Sequence, residues 1–280
     1  MLVCGACERE LPEDSYSEDQ RGMRQSNRRC GECVAAGNQL VLMKKGRTRS
    51  EEDDCPICSL PLPPDGHHSM FKACCVKRVC TGCILAAEKR GISDCPFCRT
   101  PTPDGVEQAL TMIQKRVDAG DPMAMCTLGF GYRHGQHGLD EDETRAVELY
   151  ERAAELGANE AHSQLGLLYY TGAGVERDTA KAIRHWEEAA VKGCVQARHN
   201  LGFLEERAGN YDLALQHFLI ATKLGSEPSL KRVKDLYKDG IATKADYAEA
   251  LRGYQSAVEE MRSPGRDEAL ALGFGKVGSL

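Results

Sequence analysis

Three C-x2-C pairs, Cys55-Pro56-Ile57-Cys58, Cys80-Thr81-Gly82-Cys83 and Cys95-Pro96-Phe97-Cys98, fall within fewer than fifty residues, with the vicinal Cys74 and Cys75 between the first two. Two cysteines separated by two residues turn both sulfurs toward one point, and zinc accepts four thiolate or imidazole ligands in a tetrahedron. The pattern predicts a fold organised around metal. Cys4, Cys7, Cys30 and Cys33 bring the total in the first hundred residues to twelve, enough for three four-ligand sites, so three zinc ions are expected. Cys4-x2-Cys7-x22-Cys30-x2-Cys33 is a complete set of its own and reads as a separate zinc ribbon or treble-clef finger. The same hundred residues are short of aliphatic side chains. Structural zinc, at roughly 10–16 kcal/mol of apparent binding free energy per ion, can supply what a small apolar core cannot.

The rival use of so many cysteines is a disulfide framework, which needs an oxidising compartment. The N-terminal residues Met1-Leu2-Val3-Cys4-Gly5-Ala6-Cys7-Glu8-Arg9 lack the basic start and apolar run of a secretory signal. No stretch approaches the roughly 20 apolar residues of a membrane span. The expectation is a soluble chain without a membrane partner, cytoplasmic or nuclear and not secreted.

Beyond residue 105 a different order takes over. Gly120, Gly157, Gly193 and Gly225 recur at spacings of 37, 36 and 32. Eight positions after each stand Leu128, Leu165, Leu201 and Val233, and four after each stand the small residues Ala124, Ala161, Ala197 and Ser229. Ala146, Ala182, Ala214 and Ala250 align later in each unit, each followed four residues on by an aromatic, Tyr150, Trp186, Phe218 or Tyr254. A fixed period of this length means stacked units, each a helix, a turn and a helix that cannot bury its own apolar face alone. Asp121-Pro122 and Asp178-Thr179 supply helix starts, and the recurring glycines suit left-handed helix ends. A further helix over about 106–119, with Leu110, Ile113 and Val117 on one face, is expected to cap the stack.

Leu165-Gly166-x2-Tyr169-x2-Gly172-x-Gly174-Val175-x2-Asp178-x3-Ala182-x6-Ala189-Ala190-x2-Gly193 resembles a Sel-one-like repeat, a relative of the tetratricopeptide repeat. The other units depart in places. The first has an extra turn residue at Gly135-Gln136-His137-Gly138, the third a short turn at Ala208-Gly209-Asn210, and the fourth Lys234 in place of glycine. The resemblance implies an adaptor whose concave surface holds a protein substrate or client. Cys126 and Cys194 occupy ordinary repeat positions and read as plain thiols.

Cys55-x2-Cys58-x16-Cys75-x4-Cys80-x2-Cys83-x11-Cys95-Pro96-Phe97-Cys98-Arg99 resembles a RING finger. That resemblance implies an interleaved cross-brace, with Cys55, Cys58, Cys80 and Cys83 on one zinc and Cys75, Cys95 and Cys98 on the other. RING fingers usually carry a histidine two residues after the third cysteine, where this chain has Lys77, whose ammonium offers no lone pair. Cys74, then His67 or His68, then a three-ligand site are the alternatives for the eighth ligand. A RING implies ubiquitin transfer by positioning a charged ubiquitin-conjugating enzyme, with no covalent catalytic residue on the ligase. By resemblance Ile57, Leu85, Pro96 and Arg99 would contact that enzyme, although the segment after Cys83 lacks the tryptophan many active RINGs present.

Eight basic residues and a single acid, Glu32, lie between Arg21 and Arg49, a local balance of +7 in a chain of net charge −6. Such a strip beside a zinc finger could meet nucleic acid, but Glu51-Glu52-Asp53-Asp54 follows at once and opposes a phosphate backbone. No phosphate-binding glycine loop, zinc-protease motif or nucleophile elbow occurs. The expected fold class is small zinc-stabilised α+β modules followed by an all-α solenoid of about four repeats. The expected boundaries are a zinc finger over 1–43, a charged linker over 44–54, a RING-like domain over 55–104, repeats over 105–262 and a flexible tail over 263–280. A ubiquitin ligase, a non-catalytic zinc scaffold and a nucleic-acid-associated zinc protein are the three functional readings.

Overall fold

The computed structural model describes residues 1–4, 9–21, 30–35, 53–64, 66 and 68–274. The chain forms two compact units, Met1–Ser50 with Ile183–Tyr254, and Glu51–Ala182 with Gln255–Leu280.

The N-terminal segment is built from short elements. Strands β1 (Leu2–Val3) and β2 (Glu10–Leu11) pair antiparallel, and helices α1 (Glu18–Arg21) and α2 (Gly31–Ala35) follow. Its core is Tyr16 packed with Cys4, Cys30 and Cys33. The Tyr16 hydroxyl donates to the Leu2 carbonyl at 2.8 Å, giving the buried ring a partner for its polar end.

The cysteine-rich segment from residue 53 centres on a hairpin of β3 (Ser69–Lys72) and β4 (Lys77–Cys80), with Met70 opposite Val79. Its turn carries Cys74 and Cys75. Helix α3 (Thr81–Glu88) starts at once, and the Cys80 sulfur caps it by accepting from the Cys83 amide.

Helices α4 (Val106–Asp118), α5 (Pro122–His134), α6 (Glu143–Glu155), α7 (Asn159–Thr171), α8 (Thr179–Val191), α9 (Val195–Arg207), α10 (Tyr211–Lys223), α11 (Glu227–Lys238) and α12 (Lys244–Met261) follow the expected helix-turn-helix order. Gly120, Gly157, Gly193 and Gly225 have φ of 82°, 88°, 93° and 90°, which only glycine adopts without strain. After each glycine the next amide returns to a carbonyl five residues back: Asp121 to Arg116, Ala158 to Ala153, Cys194 to Ala189 and Ser226 to Ala221. The period in the sequence is thus a helix stop repeated four times.

The small residues Ala124, Ala161, Ala197 and Ser229 are buried, as are Ala146, Ala182, Ala214 and Ala250. A Cβ on Gly129 would lie 3.2 Å from the Tyr150 ring, and one on Gly202 would lie 2.8 Å from the Phe218 ring. Glycine there makes room for the aromatic of the same unit. In the fourth unit Lys234 replaces that glycine, and Tyr254 is correspondingly only half-buried.

One expectation fails. Residues 263–274 do not fray: α13 (Pro264–Ala271) packs on α3, and Phe274 lies against Cys55, Leu62, Val79, Cys80 and Ile84. Ser263 caps the helix by accepting from the Arg266 amide, Pro264 fills its first turn, and Ala269 is fully buried. Among the described residues no helix is long and apolar enough to cross a membrane.

Candidate metal centres

Two cysteine sets converge in the segment from residue 53. The sulfurs of Cys55, Cys58, Cys80 and Cys83 lie within 4.8 Å of one another, and so do those of Cys74, Cys75, Cys95 and Cys98. The sets alternate along the chain, so each loop that closes one is threaded by ligands of the other. Cys58 and Cys80 sulfurs are 3.8 Å apart, Cys55 and Cys83 4.0 Å, Cys75 and Cys95 3.8 Å, and Cys74 and Cys98 3.4 Å. A tetrahedron with zinc–sulfur bonds of about 2.3 Å has edges of about 3.8 Å, whereas a disulfide would need about 2.05 Å. The donor set and spacing fit zinc.

The first and last C-x2-C loops share one backbone. The Cys55 amide donates to Leu60 O and Ser59 N returns to Cys55 O; the Cys95 amide donates to Thr100 O and Arg99 N returns to Cys95 O. Ser59 and Arg99 both take positive φ, 56° and 64°, to close the turn. Near the N-terminus, Cys4 N donates to Arg9 O with the same five-residue reach. There Cys4, Cys30 and Cys33 form a third cluster, and Cys7 lies outside the described residues.

Cys74 completes the second set. His68 is not part of it, and His67 lies outside the described residues. Two adjacent cysteines reach one point because the hairpin turn is tight, with Val76 forced to φ 53°, rare for a β-branched residue. Lys77, at the usual histidine position, is exposed.

Clustered thiols resist ionising together. A hydrogen bond from Cys80 holds the Cys55 thiol down to about 4, while the same bond and burial push Cys80 up. Burial first, then the charge of Cys95, raises Cys75 to about 12; burial, with the charges of Cys55 and Cys58, raises Cys83 to about 12 against a hydrogen bond with Cys80 that lowers it. A divalent cation at the centre would remove this opposition by offsetting all four charges.

Of the residues expected to meet a conjugating enzyme, Ile57 is 41% exposed, Arg99 is exposed and Pro96 is half-buried, whereas Leu85 is only 6% exposed. Leu85 is therefore withdrawn from any partner. Phe97, 44% exposed at the place in its loop that Ile57 has in the other, was not singled out by the sequence, although the matching Cys-Pro-x-Cys pattern could have found it. Within the repeats Cys126 is buried and Cys194 half-buried, and neither belongs to a ligand cluster among the described residues. An open groove of about 530 Å³ beside Tyr169, Glu176, Arg177, Asp178 and Lys181 lies at a repeat turn, with the Lys181 ammonium 5.1 Å from the Tyr169 ring centre. Of the basic strip only Arg21 is described, and its guanidinium donates to the Tyr16 carbonyl at 3.2 Å.

The helical part is of the αα-repeat solenoid class, a fold that serves protein–protein interaction. Residues 122–157, 159–194 and 195–226 match the family model of the Sel1 repeat, so the first three units are Sel1 repeats and the helical pair α11 and α12 follows them. Among solved structures, a Sel1 repeat protein from Oxalobacter formigenes is 26% identical, with 64% of this chain and 71% of that one covered and a TM-score of 0.48. The protective antigen c5321 of uropathogenic Escherichia coli, displaying an SLR fold, is 24% identical over 66% of this chain and 38% of its own, with a TM-score of 0.49. Immunity protein Pa5087 of Pseudomonas aeruginosa is 22% identical over 77% and 72%, with a TM-score of 0.42. Among curated proteins there is no match.

Proposed function

We propose that the chain is a RING-type ubiquitin ligase that holds a ubiquitin-charged conjugating enzyme at its zinc region while the Sel1 repeats recruit a protein substrate. The observation that carries this reading is the alternation of the two four-cysteine sets, Cys55, Cys58, Cys80 and Cys83 against Cys74, Cys75, Cys95 and Cys98. Zinc bound there would supply cross-links that fix the loops. The apolar Ile57 and Phe97, each exposed between two ligands, offer the conjugating enzyme a docking patch with Pro96 at its edge. Arg99, exposed just after the last ligand, brings a fork of donors suited to bridging that enzyme and its ubiquitin. Catalysis is then a matter of orientation, with no covalent intermediate on this chain. The reading goes with a reducing compartment, cytoplasmic or nuclear, because thiolate ligands must stay unoxidised to hold metal.

Autoubiquitination with purified activating enzyme, a panel of conjugating enzymes and ubiquitin tests the proposal. The expected result is ubiquitin chain formation that falls about tenfold or more in Ile57→Ala with zinc retained. The buried Leu85 favours a second reading, a non-catalytic zinc scaffold, and silence across the whole panel with zinc in place would establish it over the first.

A further inference from the structure

Helix α13 reaches the first cysteine set through one side chain. Arg266 is 3% exposed, although it carries a permanent charge. Its Nη1 donates to the carbonyls of Pro61, at 2.6 Å, and Met261. Its Nη2 donates to Leu60 O at 3.1 Å and stands 3.7 Å from the Cys58 sulfur. The charged groups that face it are the sulfurs of Cys58 and Cys80, and no carboxylate among the described residues takes their place. A buried guanidinium with only carbonyls for company is costly, and a zinc ion with four thiolates leaves a net charge of about −2 to be offset. Each lacks what the other has.

The second set is arranged differently. Arg116 of α4 donates its Nε to the Cys74 carbonyl at 3.0 Å, but its charge goes to Asp121, 2.7 Å from Nη1. The contact between α13 and α3 is close enough to hold Arg266 in register. A Cβ on Gly82 would lie 2.8 Å from both Gly265 C and Arg266 N, and Lys89 pairs with Glu268 at 2.5 Å.

We propose that Arg266 is the counter-charge of the first metal centre, so that the ion held by Cys55, Cys58, Cys80 and Cys83 and the docked helix α13 stabilise one another. The inference rests on the zinc reading of that set and not on ligase activity. Linkage makes the effect reciprocal: whatever loosens α13 loosens this ion, and the second centre is untouched.

The test is zinc release from the full chain into a chelating dye, with amide hydrogen exchange across 264–271 followed in parallel. In Arg266→Gln one ion per chain should leave about tenfold faster or more, the range typical of lost outer-sphere partners, while the others keep the parent rate. Arg266→Lys, which keeps the charge, should stay near the parent rate. Equal release in all three chains, or equally fast release in both variants, would overturn the proposal and reduce Arg266 to packing. If Arg266→Gln does not fold, Glu268→Lys decides, because it breaks the pair with Lys89 and leaves Arg266 in place. Faster loss of a single ion then supports the coupling, and parent-like loss overturns it. A parent chain that purifies folded without zinc would instead overturn the metal reading itself.

Discussion

His217 is the residue whose burial has the most direct consequence in solution. Burial first, and the nearby Arg198 cation second, lower its imidazole to about 3, and its Nδ1 has no hydrogen-bond partner among the described residues. An unfolded histidine titrates near 6.5, so below that pH the unfolded chain takes up a proton that the folded one refuses. Its contribution to stability is therefore complete above about pH 6.5 and declines as the pH falls toward 3, by up to about 1.4 kcal/mol per unit. Urea midpoints at pH 6.5 and 5.5 should show a steeper acid loss in the parent than in His217→Met, the difference in slope being this one group. Gly202 makes a second expectation. A methyl there meets the Phe218 ring at 2.8 Å inside the core, so Gly202→Ala should lower stability by about 1–3 kcal/mol in urea unfolding. At Gly120 nothing lies within 4 Å of an added Cβ, and Gly120→Ala should cost only the left-handed backbone, about 1–2 kcal/mol.

At the scale of elements, the metal loops depend on backbone as much as on sulfur. Ser59 closes the first loop at φ 56°, a conformation glycine tolerates and a β-branched residue resists. Ser59→Gly should keep the parent zinc content, while Ser59→Val should lose one ion more readily to a chelator, as elemental analysis after a timed challenge would show. Much of this level was legible in advance. The aligned glycines announced the helix stops, Asp121-Pro122 the start of α5, and the Cys-Pro-x-Cys pairs the loops. What escaped was cooperative. Cys74 stands first among the alternatives for the eighth ligand and does complete the second set, but the turn that lets two adjacent cysteines share it, bent at Val76, is not encoded in any spacing. Ser263-Pro264 was a readable helix start, but the short segment after it holds too little apolar surface to predict docking, since much of its anchorage comes from a buried arginine alongside Ala269 and Phe274. Leu85, expected at a surface, is buried in the helix on which α13 packs, α13 meeting Gly82 near its start and Lys89 just past its end.

At the scale of the molecule, two kinds of cohesion coexist. The repeats bury alanine, leucine and aromatic side chains, while the cysteine segments have few such groups and lean on their clusters. Removing metal from the full chain with a strong chelator should therefore leave most of the helical far-ultraviolet dichroism and a cooperative thermal transition, while the hairpin of β3 and β4 loses its amide protection. Loss of the whole helical signal would mean that the repeats lean on metal as well. The buried arginine adds an order of events. Arg266 follows Cys83, the last ligand of the first set, by 183 positions, so a ribosome working at about 5–20 residues per second adds it roughly 9–37 seconds after that ligand. During that interval the nascent chain has the four cysteines but not Arg266, and a product cut short anywhere in the repeats lacks that side chain altogether. The first metal site would thus be formed by two segments of the chain made far apart in time, its cysteines early and Arg266 late.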